Sequence, residues 1–185
     1  MKVTPLGIPE VLLIEPKVFG DARGYFLETF HAQRYAEAGI PGPFVQDNMS
    51  RSGHGILRGL HLQNPRPQGK LVQVVEGEVF DVAVDVRVGS PSFGQWVSAI
   101  LSAHDHRQLY IPTGFAHGFC VLSEHALFAY KCTDVYLPQH EMGVPWNDPD
   151  LAIHWPVDKP VVSEKDGRFA PLSCIDPAKL PQYKG

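Results

Sequence analysis

The segment Leu57-Arg58-Gly59-Leu60-His61-Leu62-Gln63 reads as a β-strand with two unlike faces. Alternation puts Leu57, Gly59, His61 and Gln63 on one side and Arg58, Leu60 and Leu62 on the other. With Leu60 and Leu62 packed against an outer layer, His61 and Gln63 point into the interior of a barrel. Lys70 follows soon after. Much later comes Pro112-Thr113-Gly114-Phe115-Ala116-His117-Gly118-Phe119, where Pro112 and Gly114 fix a turn and Gly118 permits close backbone approach. Two histidines and a lysine in a β-rich, glycine-punctuated setting point to a polar site inside that barrel.

Outward from this segment the pattern is the same. From Val45 onward short apolar or alternating runs are broken by Gly, Pro, Asn and Ser, as in an all-β domain. The runs predict strands at Val11–Glu15, Tyr25–Phe30, Ile56–Leu62, Lys70–Glu76, Glu78–Arg87, Gln95–Leu101, Gln108–Ile111, Gly118–Leu122 and Ala126–Thr133, with a tight turn at Glu76-Gly77-Glu78. Regular spacing of this kind fits a sandwich, jelly roll or small barrel. A helix is predicted at His31–Ala38 with Gly39 as its C-terminal cap, and a short second one near Pro177–Leu180. The proline-rich end from Pro138 onward reads as irregular structure wrapped on the barrel. No repeat or long linker divides the chain, so residues 1–185 are expected to form one domain.

Composition narrows the function classes. The chain has 185 residues, 44% of them hydrophobic, and a formal charge of -4. Its 16 Lys and Arg are scattered, which argues against a nucleic-acid surface but leaves room for a small anionic ligand. Three cysteines, Cys120, Cys132 and Cys174, show no CxxC spacing and read as reduced thiols. No segment approaches the roughly 18 apolar residues of a membrane span, and the N-terminus lacks the apolar run of a signal peptide. The expected location is the cytoplasm.

Taken alone, His61 reads first as a hydrogen-bonded structural histidine, and only its company of Arg58, Lys70 and His117 near strand ends and turns raises a functional reading. His117 taken alone fits a turn histidine with its tip in water. The glycine-turn histidine and the Pro-x-Gly-x-x-His segment are where cupin-type barrels carry metal ligands, so the chain resembles the cupin superfamily at both. Yet Gln63 stands where a second histidine belongs, and an amide oxygen is a poor substitute for imidazole at a transition metal. The expectation is a cupin-like barrel without metal that uses histidine for proton transfer. In Ala126–Cys132 alternation puts Phe128, Tyr130 and Cys132 on one face. There Tyr130 is either a core tyrosine or a proton donor.

Seven segments carry a more specific resemblance: Asp21–Glu28, Phe44–Ser50, Leu57–Gln63, Gln68–Leu71, Ile111–Phe119, Tyr130–Asp134 and Ser163–Asp166. Together, in order and across nearly the whole chain, they resemble the dTDP-4-dehydrorhamnose 3,5-epimerase family. The resemblance implies an all-β, cupin-type jelly-roll barrel with a few short helices, acting as a homodimer without metal or other cofactor. The implied reaction, in dTDP-L-rhamnose biosynthesis, converts dTDP-4-keto-6-deoxy-D-glucose to dTDP-4-keto-L-rhamnose. Both inverted carbons flank the C4 ketone, so each inversion can run through an enolate.

By family position His61 is the general base and Tyr130 the general acid on the opposite face. Asp166 would orient His61, with Asp85 a less favoured substitute, and Lys70 would stabilise the enolate oxygen. Similarity further assigns Arg23, Glu28, Gln46, Asp47, Asn48, Arg58, His117, Glu141 and Lys165 to substrate contact. Arg58 and Lys165 suit the diphosphate, Tyr136 and Phe26 are candidates for stacking on thymine, and Arg23 and Glu28 are assigned to the neighbouring subunit's site. Strict alternation sets Arg58 and His61 on opposite faces, a conflict that a bulge at Gly59 or a rim position for Arg58 would remove. Leu62, Val135 and the Gly167-Arg168-Phe169 extension depart from the family pattern. The alternatives are a mono-epimerase acting at C3 or C5 only in secondary-metabolite deoxysugar synthesis, a cupin-fold ketoisomerase, and a sugar-nucleotide binding module without turnover.

Overall fold

The structure, a computed structural model, describes residues 1–184. Thirteen strands and one α-helix follow in chain order: β1 Lys2–Pro5, β2 Leu12–Glu15, β3 Val18–Asp21, β4 Gly24–Leu27, α1 Ala32–Glu37, β5 Gln46–Gly53, β6 Leu57–Gln63, β7 Lys70–Glu76, β8 Glu78–Asp85, β9 Trp96–Ser102, β10 Gln108–Ile111, β11 Phe115–Val121, β12 His125–Cys132 and β13 Glu141–Gly143. Beyond β12 the chain is mostly irregular, with short 3-10 turns at 138–140, 166–168, 172–174 and 177–179. The last of these occupies the place of the second predicted helix.

Two antiparallel sheets face each other. One has the order β1-β2-β10-β7-β12-β5 and the other β13-β6-β11-β8-β9, while β3 and β4 form a separate hairpin. The β7–β8 turn sits at Gly77, in the left-handed region at φ 82°, where a Cβ would lie 2.1 Å from the His125 carbonyl oxygen. Only glycine fits there.

Three apolar layers hold this frame. Between the sheets lie Val72, Val79, Leu101, Leu109, Phe119 and Phe128. Outside the five-stranded sheet, Leu60, Leu62, Val82 and Val84 pack with Leu151, Leu172, Leu180 and Trp155 from the irregular C-terminal stretch. Outside the six-stranded sheet, Ile14, Leu71 and Tyr110 are covered by Tyr35 of α1 together with Phe30, Ile40 and Phe44. The helix is capped at its start by the His31 side chain, which accepts from the Arg34 N–H. Because both outer faces are covered, the space between the sheets is free to hold polar groups at one end. Among the described residues no helix is long and apolar enough to cross a membrane.

β5 was not among the predicted strands, and neither were β1, β3 and β13. The sequence of β5, Gln-Asp-Asn-Met-Ser-Arg-Ser-Gly, has no apolar alternation, yet its burial alternates residue by residue. Its inward side chains are polar because they line a cavity.

Candidate active site

A cavity of about 310 Å³ opens between the sheets. The five-stranded sheet contributes Arg58 and His61 from β6, His117 and Phe119 from β11 and Glu141 from β13. Facing them are Gln46, Asn48 and Ser50 of β5, Lys70 of β7 and Phe128, Tyr130 and Cys132 of β12. Alternation in β12 therefore holds as read. So does the inward direction of His61.

The Arg58 conflict is resolved by a bulge. His117 stands opposite His61 and Phe119 opposite Arg58, so two steps on β11 match three on β6. One extra residue shifts the parity of the strand, and Arg58 joins His61 at the cavity while Leu60 stays in the outer layer. Gly59 makes this possible. Its φ is 130°, and a Cβ there would lie 2.6 Å from Gly118 Cα and 2.8 Å from the His117 carbonyl oxygen.

Asp166 reaches His61 from a 3-10 turn 105 residues downstream. Its Oδ1 lies 2.7 Å from His61 Nε2, and its Oδ2 accepts from the Gly59 N–H at 3.3 Å. The Asp166 N–H donates to Ser163 Oγ at 3.1 Å, which pins the turn. Burial would push this carboxyl up, but the His61 bond and charge and the Gly59 N–H outweigh it and hold it below the usual carboxylate value. An ionised Asp166 accepts a hydrogen bond from Nε2–H, leaving Nδ1 as the basic nitrogen of His61. Phe169, from the three-residue extension, packs edge-on to the imidazole at 6.0 Å between centroids.

On the opposite wall the Tyr130 hydroxyl has no hydrogen-bond partner among the described residues. Burial pushes its pKa up, and so does Cys132, so it keeps its proton at neutral pH. Lys70 is buried beside Cys132 in the sheet register, and its ammonium donates to the His61 carbonyl at 3.4 Å. Burial lowers its pKa. The His117 Nε2 stands 3.0 Å from both oxygens of Asp81, a buried β8 carboxylate that the sequence reading missed. No sequence signal could have found it, because the register that sets His117 opposite Ala83, two residues from Asp81, exists only in the folded ladder.

At the rim Glu141 accepts from Lys165 Nζ at 2.6 Å and from the Tyr136 hydroxyl at 2.7 Å. Gln46 accepts from the Tyr136 N–H at 2.7 Å and donates to Asn48 at 2.9 Å. Arg58 donates to Ser52 at 3.0 Å. Lys165, Glu141, Tyr136, Gln46 and Asn48 thus form one connected edge, with the Arg58–Ser52 pair separate from it.

Other expected residues lie elsewhere. Asp47, expected beside Gln46 and Asn48, points to the outer face of the six-stranded sheet and pairs with Lys131 at 2.9 Å, because successive strand residues face opposite ways. Arg23, Phe26 and Glu28 belong to the β3–β4 hairpin and its exit, outside the cavity of their own chain. There Arg23 pairs with Asp21, Glu28 with Arg34, and Phe26 is 70% exposed. Asp85 cannot substitute for Asp166: it is tied up by Arg87, Ser90 and Ser92. Gln63 is committed to the backbone. Its amide donates to the carbonyls of Arg66 and Val135 at 2.6 and 3.2 Å and accepts from the Leu137 N–H at 2.8 Å.

Two facing antiparallel sheets with a polar cavity between them make this a cupin-type jelly roll, and a carboxylate-backed histidine across from a tyrosine equips it for proton transfer. The family model for dTDP-4-dehydrorhamnose 3,5-epimerase matches residues 5–173. The dTDP-4-dehydrorhamnose 3,5-epimerase of Pseudomonas aeruginosa is 58% identical over 180 residues, covering 95% of this chain and 99% of that one. The Legionella pneumophila dTDP-6-deoxy-D-glucose-3,5-epimerase, solved in complex with dTDP-4-keto-L-rhamnose, superposes with a TM-score of 0.97 at 54% identity, covering 100% of this chain and 99% of that one. More distantly, the dTDP-4-dehydrorhamnose 3-epimerase of Streptomyces niveus is 44% identical, with 99% of this chain and 90% of that one covered. The chain belongs to the dTDP-4-dehydrorhamnose 3,5-epimerase family and is an isomerase.

Proposed function

We propose that this chain epimerises dTDP-4-keto-6-deoxy-D-glucose at C3 and C5 to dTDP-4-keto-L-rhamnose, one domain carrying the whole reaction in the cytoplasm. The observation that carries the proposal is the placement of His61, backed by Asp166 at 2.7 Å, and Tyr130 on facing sheets of one cavity. Inversion requires that a proton leave one face of a carbon and another arrive on the opposite face. His61 Nδ1 takes the proton next to the C4 ketone, and Asp166 stabilises the imidazolium that forms. Tyr130 delivers a proton from the other side, and its raised pKa suits a donor. Negative charge gathers on the C4 oxygen as the enolate forms, and Lys70 is the cation positioned to stabilise it. Such acid–base groups contribute about 10²–10⁴-fold each when aligned.

The nucleotide is held by the rim in this reading. Arg58 and Lys165 take the diphosphate, Tyr136 stacks on thymine, and Gln46, Asn48, His117 and Glu141 make polar contacts. Arg23, Phe26 and Glu28 act in trans: the exposed hairpin of one subunit reaches the site of its partner in a homodimer. Phe19, Tyr25 and Phe26 on that hairpin are all more than half exposed, an apolar arm that a second copy would cover. Asp47, with its outward direction, contacts the substrate only through such an assembly.

The test is incubation with dTDP-4-keto-6-deoxy-D-glucose in D₂O, followed by NMR. Deuterium at both C3 and C5 is expected. Label at one centre alone selects the mono-epimerase reading, which the Streptomyces niveus relative's name favours. No label at either centre overturns the proposal.

A further inference from the structure

We propose that Phe169 is a positioning residue of His61, a wall that sets the plane of the imidazole so that Nδ1 faces the cavity. Its consequence for turnover rests on the epimerase reading above, whereas its grip on the ring stands on the packing itself.

The Asp166 bond fixes one corner of the imidazole and leaves its plane open. Rotation of a histidine ring about its Cβ–Cγ bond is a broad, soft torsion, so rotamer preference does not set that plane. A base that takes a proton from carbon must be closely aligned, and a misplacement of about 1 Å can cost on the order of 10²-fold in rate. A second contact is therefore needed to stop the ring from tilting about its bond to Asp166.

His61 has a direct partner on each neighbouring strand, His117 on β11 and Gly143 on β13. Directly opposed residues put their side chains beside one another on one face of the sheet. Gly143 has none to offer, and Phe169 fills the gap: a Cβ on Gly143 would lie 2.4 Å from both Cε2 and Cζ of the Phe169 ring. The same ring meets the imidazole edge-on, with 6.0 Å between centroids and 76° between planes, the geometry of a favourable aromatic pair. The cavity is lined by His61 and not by Phe169, so the phenyl ring stands behind the base, away from the substrate.

One turn delivers both contacts. Asp166 opens the 3-10 turn 166–168, and Phe169 is its C-terminal cap. Upstream the turn is pinned by the Gly167 and Arg168 N–H groups, which donate to the carbonyls of Ser163 and Lys165 at 3.0 Å each. Downstream, Leu172 is buried in the outer apolar layer, and its N–H donates to Asp148 Oδ2 at 2.7 Å. Held at both ends, the segment presents carboxylate and ring as a unit. Asp166 grips Nε2, and Phe169 blocks the tilt. With the Asp166 side chain only 3% exposed, loss of the ring would also open the Asp166–His61 bond to water.

Phe169→Ala removes the wall, and Phe169→Leu keeps much of its volume. With the full chain and dTDP-4-keto-6-deoxy-D-glucose, Phe169→Ala should lower kcat for deuterium wash-in by about 10²-fold at an unchanged KM, and Phe169→Leu should recover most of the loss. A wild-type kcat in Phe169→Ala, or a raised KM with kcat intact, overturns the proposal. A second readout needs no substrate. In NMR of the labelled wild type, the Phe169 ring protons should show Overhauser contacts to the His61 ring. The His61 Nε2–H signal should broaden in Phe169→Ala through exchange with water. Absence of the contacts, or an unchanged Nε2–H signal in the variant, is equally fatal. Should Phe169→Ala fail to fold, Phe169→Val takes its place with the same expected signs. A wild type that shows both NMR signatures yet exchanges no deuterium would fail the epimerase reading alone, so the two failures are told apart.

Discussion

Arg58 and His61 line the same wall of the cavity from positions three apart on one strand, because β6 holds one residue more than β11 between them. Gly59 permits this. Gly59→Ala adds a Cβ 2.6 Å from Gly118 Cα at a φ of 130°. Strain and overlap together should cost at least about 2 kcal/mol, lowering the melting midpoint by roughly 4–8 °C and pulling Arg58 or His61 out of line. Calorimetry and turnover check this. Wild-type stability with wild-type rate would show that the bulge can be built without glycine.

The His61–Asp166 contact leads to a second expectation. His61→Ala should abolish deuterium exchange while dTDP affinity, measured by calorimetry, stays close to wild type. Asp166→Asn should lower kcat about 10²–10⁴-fold, since an amide neither stabilises the imidazolium nor enforces the tautomer. Normal turnover with lost nucleotide binding would contradict the assignment.

Tyr130→Phe separates removal of a proton from its delivery. His61 can still take a proton and return a deuteron to the same face. We expect label to enter the substrate without inversion, with epimer formation down about 10²–10⁴-fold. NMR coupling constants distinguish retained from inverted centres. Equal loss of exchange and inversion would move Tyr130 into the first step.

Acid stability should also depend on Asp166. Its folded carboxyl lies below the ordinary 3.8, so the stability it contributes is present above that pH and lost as pH falls through the folded value. In urea melts the gap between wild type and Asp166→Asn should be constant at higher pH and narrow below 3.8. A gap that does not change with pH would remove the linkage.

For the hairpin, Phe26→Asp should weaken self-association in sedimentation and raise KM for the dTDP-sugar, with little change in the far-ultraviolet spectrum of the barrel. Unaltered sedimentation and KM would leave the arm with no role in a shared site.

Much of this molecule is visible in its amino-acid order. Lys70–Glu76 and Gln108–Ile111 match their predicted strands end to end, because apolar runs bounded by turn residues record burial directly. The inward set Phe128, Tyr130 and Cys132 is legible for the same reason. β5 is hidden because polar side chains fill its inner face, so hydropathy no longer tracks burial. Asp81 is hidden because a lone aspartate in a strand carries no mark of the histidine one strand away.

The local periods, the order of the seven motifs and the family they indicate belong to the chain itself, since each depends on neighbours along the backbone. Folding alone decided that Arg58 turns inward and Asp47 outward, that Asp166 closes on His61 from 105 residues away, and that Asp81 backs His117. The physical reason is that a bulge is a mismatch between two strands, and a buried carboxylate–imidazole hydrogen bond joins a strand to its neighbour or to a distant loop. Neither has a period that one strand can display.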